Sequence, residues 1–323
     1  MLKAQATHKK SAQKLQKKSS QVKEEAAPTT TNIVVTPRID AFSKAEVPLR
    51  EALEFYNLNN VAIPKERPYA WSNSVASFDG VASFKEEGAE AAEELGGKTD
   101  FRLLNTGWTL ADAVLITPET LKNEPDAGCY PRYDDLVKYR QEKLEKTHFP
   151  YQCILTNSGN VDPQHPIFSK TCVRCVILTS EEGKENVEKI FAKAMEGQPE
   201  DAPLRRPKIF VFRPSETGEG LDLNHVFQTL RCILKVKFLD VSTGGSVISQ
   251  LLRLKLLDEV RMTTSGQICG PYNSNGQLRP KTFPANEKDE VFTVGTTPLI
   301  RNKGLRVMDD LFIFTRGTVT YRH

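Results

Sequence analysis

Two short stretches of this 323-residue sequence carry residues whose type and spacing suit chemistry. One is Ser242-Thr243-Gly244-Gly245-Ser246, between an apolar run ending at Val241 and a helical pattern over 246–257. A glycine pair at a strand-to-helix turn lets a ligand touch the backbone. The helix N-terminus beyond it presents free N–H donors and positive potential, which suits a phosphate. Ser246 either caps that helix or donates its hydroxyl. The competing reading is an ordinary strand-to-helix turn. The other stretch is Ser77-Phe78-Asp79-Gly80, directly after a strand pattern over 69–76. Asp-Gly favours a tight turn. The functional reading puts Ser77 and Asp79 at the carboxyl end of that strand, where open α/β sheets bind ligands. A carboxylate at a partly dry strand end has a raised pKa and can handle a proton.

Other motifs fail on context. Ala92–Thr99 (AEELGGKT) loosely matches a phosphate loop, but an acidic helix precedes it instead of a buried strand, so a glycine-terminated helix is the reading. The Gly218–Gly220 pair lacks the third glycine of a dinucleotide fingerprint. Cys172 and Cys175 fall in a strand-like run rather than at a helix N-terminus, and no second pair completes a zinc set. None of the five His has metal spacing to another ligand.

The elements that must position these residues alternate along the chain. Strand patterns at 69–76, 111–118, 151–159, 171–180, 207–214, 235–242 and 258–268 are separated by helical ones. The helices fall over 86–97, 101–110, 134–146, 185–195, 223–234 and 245–257. VILTS, IFVF and KFLDV are short and apolar with helices between. That pattern predicts a mostly parallel sheet covered on both faces. RVMDDLFIFTRG and VTYRH close the chain as an antiparallel hairpin at a sheet edge. Residues 47–58 read as a short amphipathic helix with Leu49, Leu53 and Tyr56 on one face, and about 270–290 as a surface loop.

Composition excludes some functions. Seven Lys against two Glu leave +5 in residues 1–25, so the formal +3 of the chain becomes −2 over 26–323. The basicity belongs to the tail, and a nucleic-acid partner is not expected. No apolar run long enough for a membrane span occurs. The six cysteines read as reduced, buried thiols, and the location expected is the cytoplasm, with organelle import through the N-terminal tail as the alternative. The organisation expected is a Lys-rich disordered tail over 1–32, an extension with the short helix over 33–66, and one domain over 67–323.

The strings RPYAWSNSVASFDGVASF, LADAVLITPETLKNEP, YQCILTNSGNVDPQHPIFS, CVILTS and KVKFLDVSTGGSVISQLLRLKLLDEVRMTTSGQICG occur in that order. Together they resemble the reductase domain of riboflavin biosynthesis, which is the C-terminal half of bacterial deaminase-reductases and also stands alone in fungi and archaea. The resemblance covers about residues 67–320. It implies an α/β, three-layer dihydrofolate-reductase-like fold, NADPH as cofactor and a homodimer. It implies a phosphorylated pyrimidine substrate, whose ribosylamino side chain is reduced to the ribitylamino form by hydride transfer to C1′.

Carried over by position, Gly244, Gly245, Ser246 and Val247 hold the cofactor phosphates. Thr120, Glu124 and Thr179 stand near the cofactor, and Ser77 and Asp79 face the nicotinamide or substrate as the catalytic candidates. Lys98 and Arg102 are the cations for the substrate phosphate. No metal is implied. The sequence departs from the family at Thr117-Pro118-Glu119-Thr120, where Gly-x-Gly-Thr is usual, and at Thr243, where Glu precedes the glycine pair. These departures keep two alternatives open: a reductase of the same fold acting on another small substrate, and a non-catalytic relative.

Overall fold

A computed structural model describes residues 40–41, 47–85, 91–123, 128–197, 203–216, 218, 220–283, 292–309 and 311–322. The chain divides into Met1–Thr36 and Pro37–His323, and the described residues belong to the second unit.

The strand patterns become β1 (Asp40–Ala41), β2 (Tyr69–Ala76), β3 (Ala113–Ile116), β4 (Tyr151–Leu155), β5 (Cys175–Thr179), β6 (Lys208–Val211), β7 (Phe238–Val241), β8 (Glu259–Ser265), β9 (Leu299–Met308) and β10 (Phe312–Thr320). Between them lie α1 (Leu49–Tyr56), α2 (Ala91–Leu110), α3 (Pro118–Asn123), α4 (Asp134–Glu142), α5 (Glu181–Met195), α6 (Leu223–Cys232) and α7 (Gly245–Arg253). The strands form one sheet in the order β1-β9-β10-β8-β2-β7-β3-β4-β5-β6. From β8 to β6 every pairing is parallel, and β10 pairs antiparallel with both β8 and β9.

Alternation along each strand fills two apolar layers. Trp71, Val114, Ile116, Ile154 and Ile177 face α1, α2 and α5. Ala70, Ala113, Leu115, Leu178, Leu239 and Val241 face α6 and α7. The three-layer, mostly parallel arrangement with a C-terminal antiparallel pair is the one the sequence predicts.

Three details differ from the sequence reading. The hairpin reverses between Met308 and Phe312 rather than after Gly317, so FIFTRG and the following TVT form one strand, and β9 in turn carries β1 on its outer side. Helix α1 buries Ala52, Phe55 and Tyr56 instead of Leu49 and Leu53, because it must also seat its C-terminus on the sheet. Arg316 Nη1 donates to the carbonyls of Phe55 and Tyr56 at 3.1 and 2.9 Å, and buried Glu259 pairs with both Arg261 and Arg316 at 2.5 and 3.8 Å. Cations at the last carbonyls of a helix complement its dipole. The structure therefore joins residues 47–66 to the domain that the sequence reading begins at 67. The cysteines, finally, are free but not all buried: Cys172 and Cys232 are exposed. Cys172 precedes β5 and Cys175 opens it; burial pushes the Cys175 thiol up to about 12, so it stays an inert thiol.

The supposed phosphate loop at 92–99 lies inside α2, which breaks at Gly97 with φ +62°. Glycine adopts that left-handed conformation at little cost, so the helix ends and restarts there, as the glycine pair predicts. Among the described residues, no helix is long and apolar enough to cross a membrane.

Candidate functional site

The order of the strands creates one crevice. β7 is inserted between β2 and β3. After β3 the chain enters α3, whose Leu121 buries against the α1–α2 face, and continues to β4 on one side. After β7 it enters α7, whose Ile248, Leu251 and Leu252 bury against the opposite face, and continues to β8 on the other side. The two connections diverge, which opens a cleft at the carboxyl ends of β3 and β7. Open α/β sheets bind ligands at such points.

One wall is the turn 242–245 and the start of α7. Gly244 is the N-cap, with φ −67° and ψ 162° and no side-chain cap. The cap is thus Gly244 and not Ser246, whose residue is exposed in the first turn. The N–H of Val247 bonds back to the Gly244 carbonyl at 3.1 Å. Those of Gly245 and Ser246 have no acceptor within the helix, as in any first turn. A Cβ added at Gly244 would meet nothing within 4 Å. The predicted residues Gly244, Gly245, Ser246 and Val247 therefore form an open helix terminus facing the cleft.

The other wall is 117–120. Thr117 and Thr120 bond reciprocally: the Thr117 N–H donates to Thr120 Oγ1 and the Thr120 N–H to Thr117 Oγ1, each at 3.3 Å. This is a capping box made of two threonines, with Pro118 at the first helical position. Thr120 Oγ1 also reaches the Ser242 carbonyl at 3.4 Å, so the walls touch. The arrangement uses the N–H groups of Thr117 and Thr120, Pro118 has none, and Glu119 is exposed beside them. An anion finds its donors on the α7 side. Glu124 lies outside the described residues.

Ser77 and Asp79 have a different role from the one the sequence predicts. Ser77 is 1% exposed; its hydroxyl donates to Asp79 Oδ1 at 2.6 Å and accepts from the Val81 N–H at 2.9 Å. Asp79 is exposed and also accepts the Cys269 and Gly270 N–H groups at 3.1 and 2.8 Å. The Ser77 hydroxyl first, then these amides, hold its carboxyl down at about 2 instead of raising it. Asp79 is a fixed anion that ties the loop after β8 to the end of β2. It is not a proton donor near neutrality.

Arg102 is likewise corrected. It is 3% exposed and its guanidinium forks onto Asp135 at 2.8 and 2.5 Å, while Nε donates to the Val47 carbonyl at 3.1 Å. It joins α2, α4 and the segment before α1, and a guanidinium buried and paired with Asp135 in this way is not presented to a substrate phosphate. Lys98 is exposed, at the restart of α2 beyond Gly97. Thr179 is fully buried at the end of β5, with its hydroxyl near the Asn157 carbonyl at 3.4 Å. It is two strands from β3, on the order of 10 Å away at the usual strand spacing. The structure thus brings Thr120 against Ser242 at the head of the 244–247 turn, keeps Thr179 two strands from β3, and ties Arg102 to Asp135 and the Ser77–Asp79 turn to the loop after β8.

Sequence reasoning missed Asp240, Trp108 and Asn73. Asp240 is fully buried in β7, and burial lifts its carboxyl to about 6 against the pull of its hydrogen bonds. The signal was present as an Asp inside the apolar run KFLDV, since charged residues are rarely buried without partners. Among the described residues, no group of three or more His, Cys, Asp or Glu could hold a metal ion.

The open helix terminus and the empty space over Gly244 fit the pyrophosphate of a dinucleotide, with Gly245 and Ser246 as its donors. Residues 68–297, more than half of the chain, match the RibD C-terminal domain family. No curated protein matches the chain by sequence. A pyrimidine reductase-like protein from Corynebacterium diphtheriae has a similar fold (TM-score 0.63, 21% identity, 83% of this chain and 98% of that one). RibD from Acinetobacter baumannii is also similar (TM-score 0.54, 16% identity, 79% of this chain and 58% of that one). So is the riboflavin biosynthesis reductase of Saccharomyces cerevisiae (TM-score 0.52, 13% identity, 84% of this chain and 99% of that one). At these identities the likenesses establish the dihydrofolate-reductase-like fold.

Proposed function

The chain belongs to the RibD C-terminal domain family, and on that premise we propose that it is an NADPH-dependent reductase of a phosphorylated aminopyrimidine in riboflavin biosynthesis. The observation that carries this reading is the α7 terminus, open at the divergence of β3 and β7. A dinucleotide held there would supply the hydride for C1′ of the opened ribosylamino side chain. The residues Gly245 and Ser246 hold its phosphates through main-chain N–H groups, and Thr120 braces the facing wall through Ser242. Placement of the reacting carbon is then the main task of the protein. Asp79, fixed as an anion, shapes the loop after β8 and leaves the proton for nitrogen to another donor.

The test is a titration of the full-length protein with NADPH, followed by its fluorescence, and then NADPH oxidation with the diaminopyrimidine phosphate. Saturable binding and turnover support the proposal; absence of binding refutes it. A second reading, a same-fold reductase acting on another small substrate, is favoured by the engagement of Arg102 with Asp135. NADPH binding without complementation of a riboflavin auxotroph would select it. We further propose a homodimer, supported by the exposed apolar side chains of Phe78, Ile268, Tyr272 and Leu278 on one loop cluster. Sedimentation of the purified chain as a monomer at micromolar concentration would refute that.

A further inference from the structure

Asp240 is fully buried, among apolar side chains and the polar groups of Trp71, Asn73 and Arg261. It points to the α2 face of the sheet, as does Ser242 two residues on. Its Oδ2 accepts from Trp71 Nε1 and from Asn73 Nδ2, both at 2.7 Å, and its Oδ1 accepts from Ser242 Oγ at 2.8 Å. Helix α2 closes directly over it, since a Cβ at Gly107 would stand 2.5 Å from Oδ2. Ser242 carries the connection onward. Its hydroxyl accepts from Trp108 Nε1 at 3.1 Å, its N–H donates to the Leu115 carbonyl at 3.0 Å, and its own carbonyl accepts from Thr120.

One buried carboxylate is therefore bonded to β2 and β7, and through Ser242 to α2, β3 and α3. An apolar residue would fill the same space without the cost of burying a charge. What the carboxylate adds is a defined position for Ser242, the residue from which the turn departs. We infer that Asp240 is a positioning residue of the nucleotide turn: it holds Ser242, and through Ser242 it sets where the N–H groups of Gly245 and Ser246 aim. The inference rests on the reading of that turn as the dinucleotide site.

The chain has two tryptophans, and both donate into this network. Trp71 reports on Asp240 directly and Trp108 reports on Ser242. The other charged or titratable groups facing the carboxylate are Arg261 of β8, Tyr56 of α1, whose hydroxyl bonds Asn73, and Asp100 of α2 beyond Tyr56.

The experiment is indole N–H NMR on the full-length protein, with the two signals assigned by Trp71→Phe and Trp108→Phe, beside NADPH titrations. In the wild type, both indole signals are expected to titrate together between pH 8 and 5, with a midpoint near 6. Asp100→Asn is expected to leave that midpoint in place. In Ser242→Ala the Trp108 signal should stop following the titration while Trp71 still does. Asp240→Asn and Ser242→Ala should each weaken NADPH binding on the order of 10- to 100-fold, the range set by losing one charge-assisted hydrogen bond. The double variant should bind no worse than the weaker single one, because both act through one link.

A Trp108 signal blind to the titration in the wild type would overturn the inference. So would wild-type affinity in a folded Asp240→Asn protein. If Asp240→Asn does not fold, wild-type affinity in Ser242→Ala overturns it alone. A wild type whose indoles titrate as stated but which binds no NADPH removes the dinucleotide reading itself, and the positioning role falls with it.

Discussion

Replacing Gly244 by Asp separates the cradle from the fold, because the two effects have opposite signs. Gly244 caps α7 in an extended conformation that any residue adopts, with open space where its Cβ would lie. An Asp there accepts from the N–H of Ser246 or Val247. Relative to Gly, a capping carboxylate gains a few tenths of a kcal/mol, and its charge at a helix N-terminus adds about 0.3–1 kcal/mol. Thermal stability should rise by roughly 1–3 °C. The same carboxylate occupies the space that a phosphate would take. It removes one charge-assisted hydrogen bond, about 1.5–3 kcal/mol. It also adds a repulsion of up to ~4 kcal/mol at contact distance, reduced at this exposed position by solvent. NADPH affinity should fall more than about 100-fold, taking roughly 1.4 kcal/mol per tenfold. Gly244→Ala, which lacks the charge, should keep affinity within a few fold. Differential scanning fluorimetry and fluorescence titration on the same samples read both quantities. A Gly244→Asp protein that binds NADPH like the wild type would refute the placement of the phosphates. One that loses stability along with binding would refute the account of the cap.

Three further outcomes follow from the same geometry. Asp100 is buried, and its carboxyl is pushed up to about 7 by desolvation, with only Thr263 bonded to it and Oδ2 without a partner. A folded pKa above the unfolded value stabilises the protonated fold, so stability should fall as pH rises from about 4 to 7, by on the order of a few kcal/mol. Asp100→Asn should flatten that slope and melt higher than the wild type at pH 8; an unchanged slope would refute it. Arg102→Ala should cost about 2 kcal/mol by breaking a pair that is buried on the arginine side, with NADPH affinity unchanged; loss of affinity at constant stability would return Arg102 to the site. Asp79→Asn should speed amide exchange at Cys269 and Gly270 without moving any limb of the pH–rate profile between 5 and 8; a shifted limb would make Asp79 a proton carrier after all.

The sheet was legible because its strands are either strictly apolar or bounded by strong turn signals. YAWSNSVA is β2 to the residue, and IFVF and KFLDV lie where β6 and β7 form. The α7 turn was legible for the same reason, since a glycine pair between two apolar elements has few other readings. The partners of long charged side chains were not legible. Arg102 reads as a ligand cation until Asp135, 33 residues away, is seen to take its fork. Asp79 reads as a carboxylate with a raised pKa until the loop 190 residues on delivers two N–H groups to it. The face of α1 was misjudged because its position is fixed by Arg316 from the far end of the chain, which no local periodicity records. Asp240 could have been singled out, as a charge inside an apolar strand, but its three donors come from β2 and from beyond its own strand.

The central claim is that a dinucleotide lies with its phosphates at the start of α7, between the ends of β3 and β7. A crystal structure of the full-length protein with NADPH tests it most directly. The account predicts pyrophosphate oxygens within hydrogen-bonding distance of the Gly245 and Ser246 N–H groups, with the 117–120 turn opposite. A pyrophosphate bound against any other element, with the α7 terminus left to solvent, would contradict it.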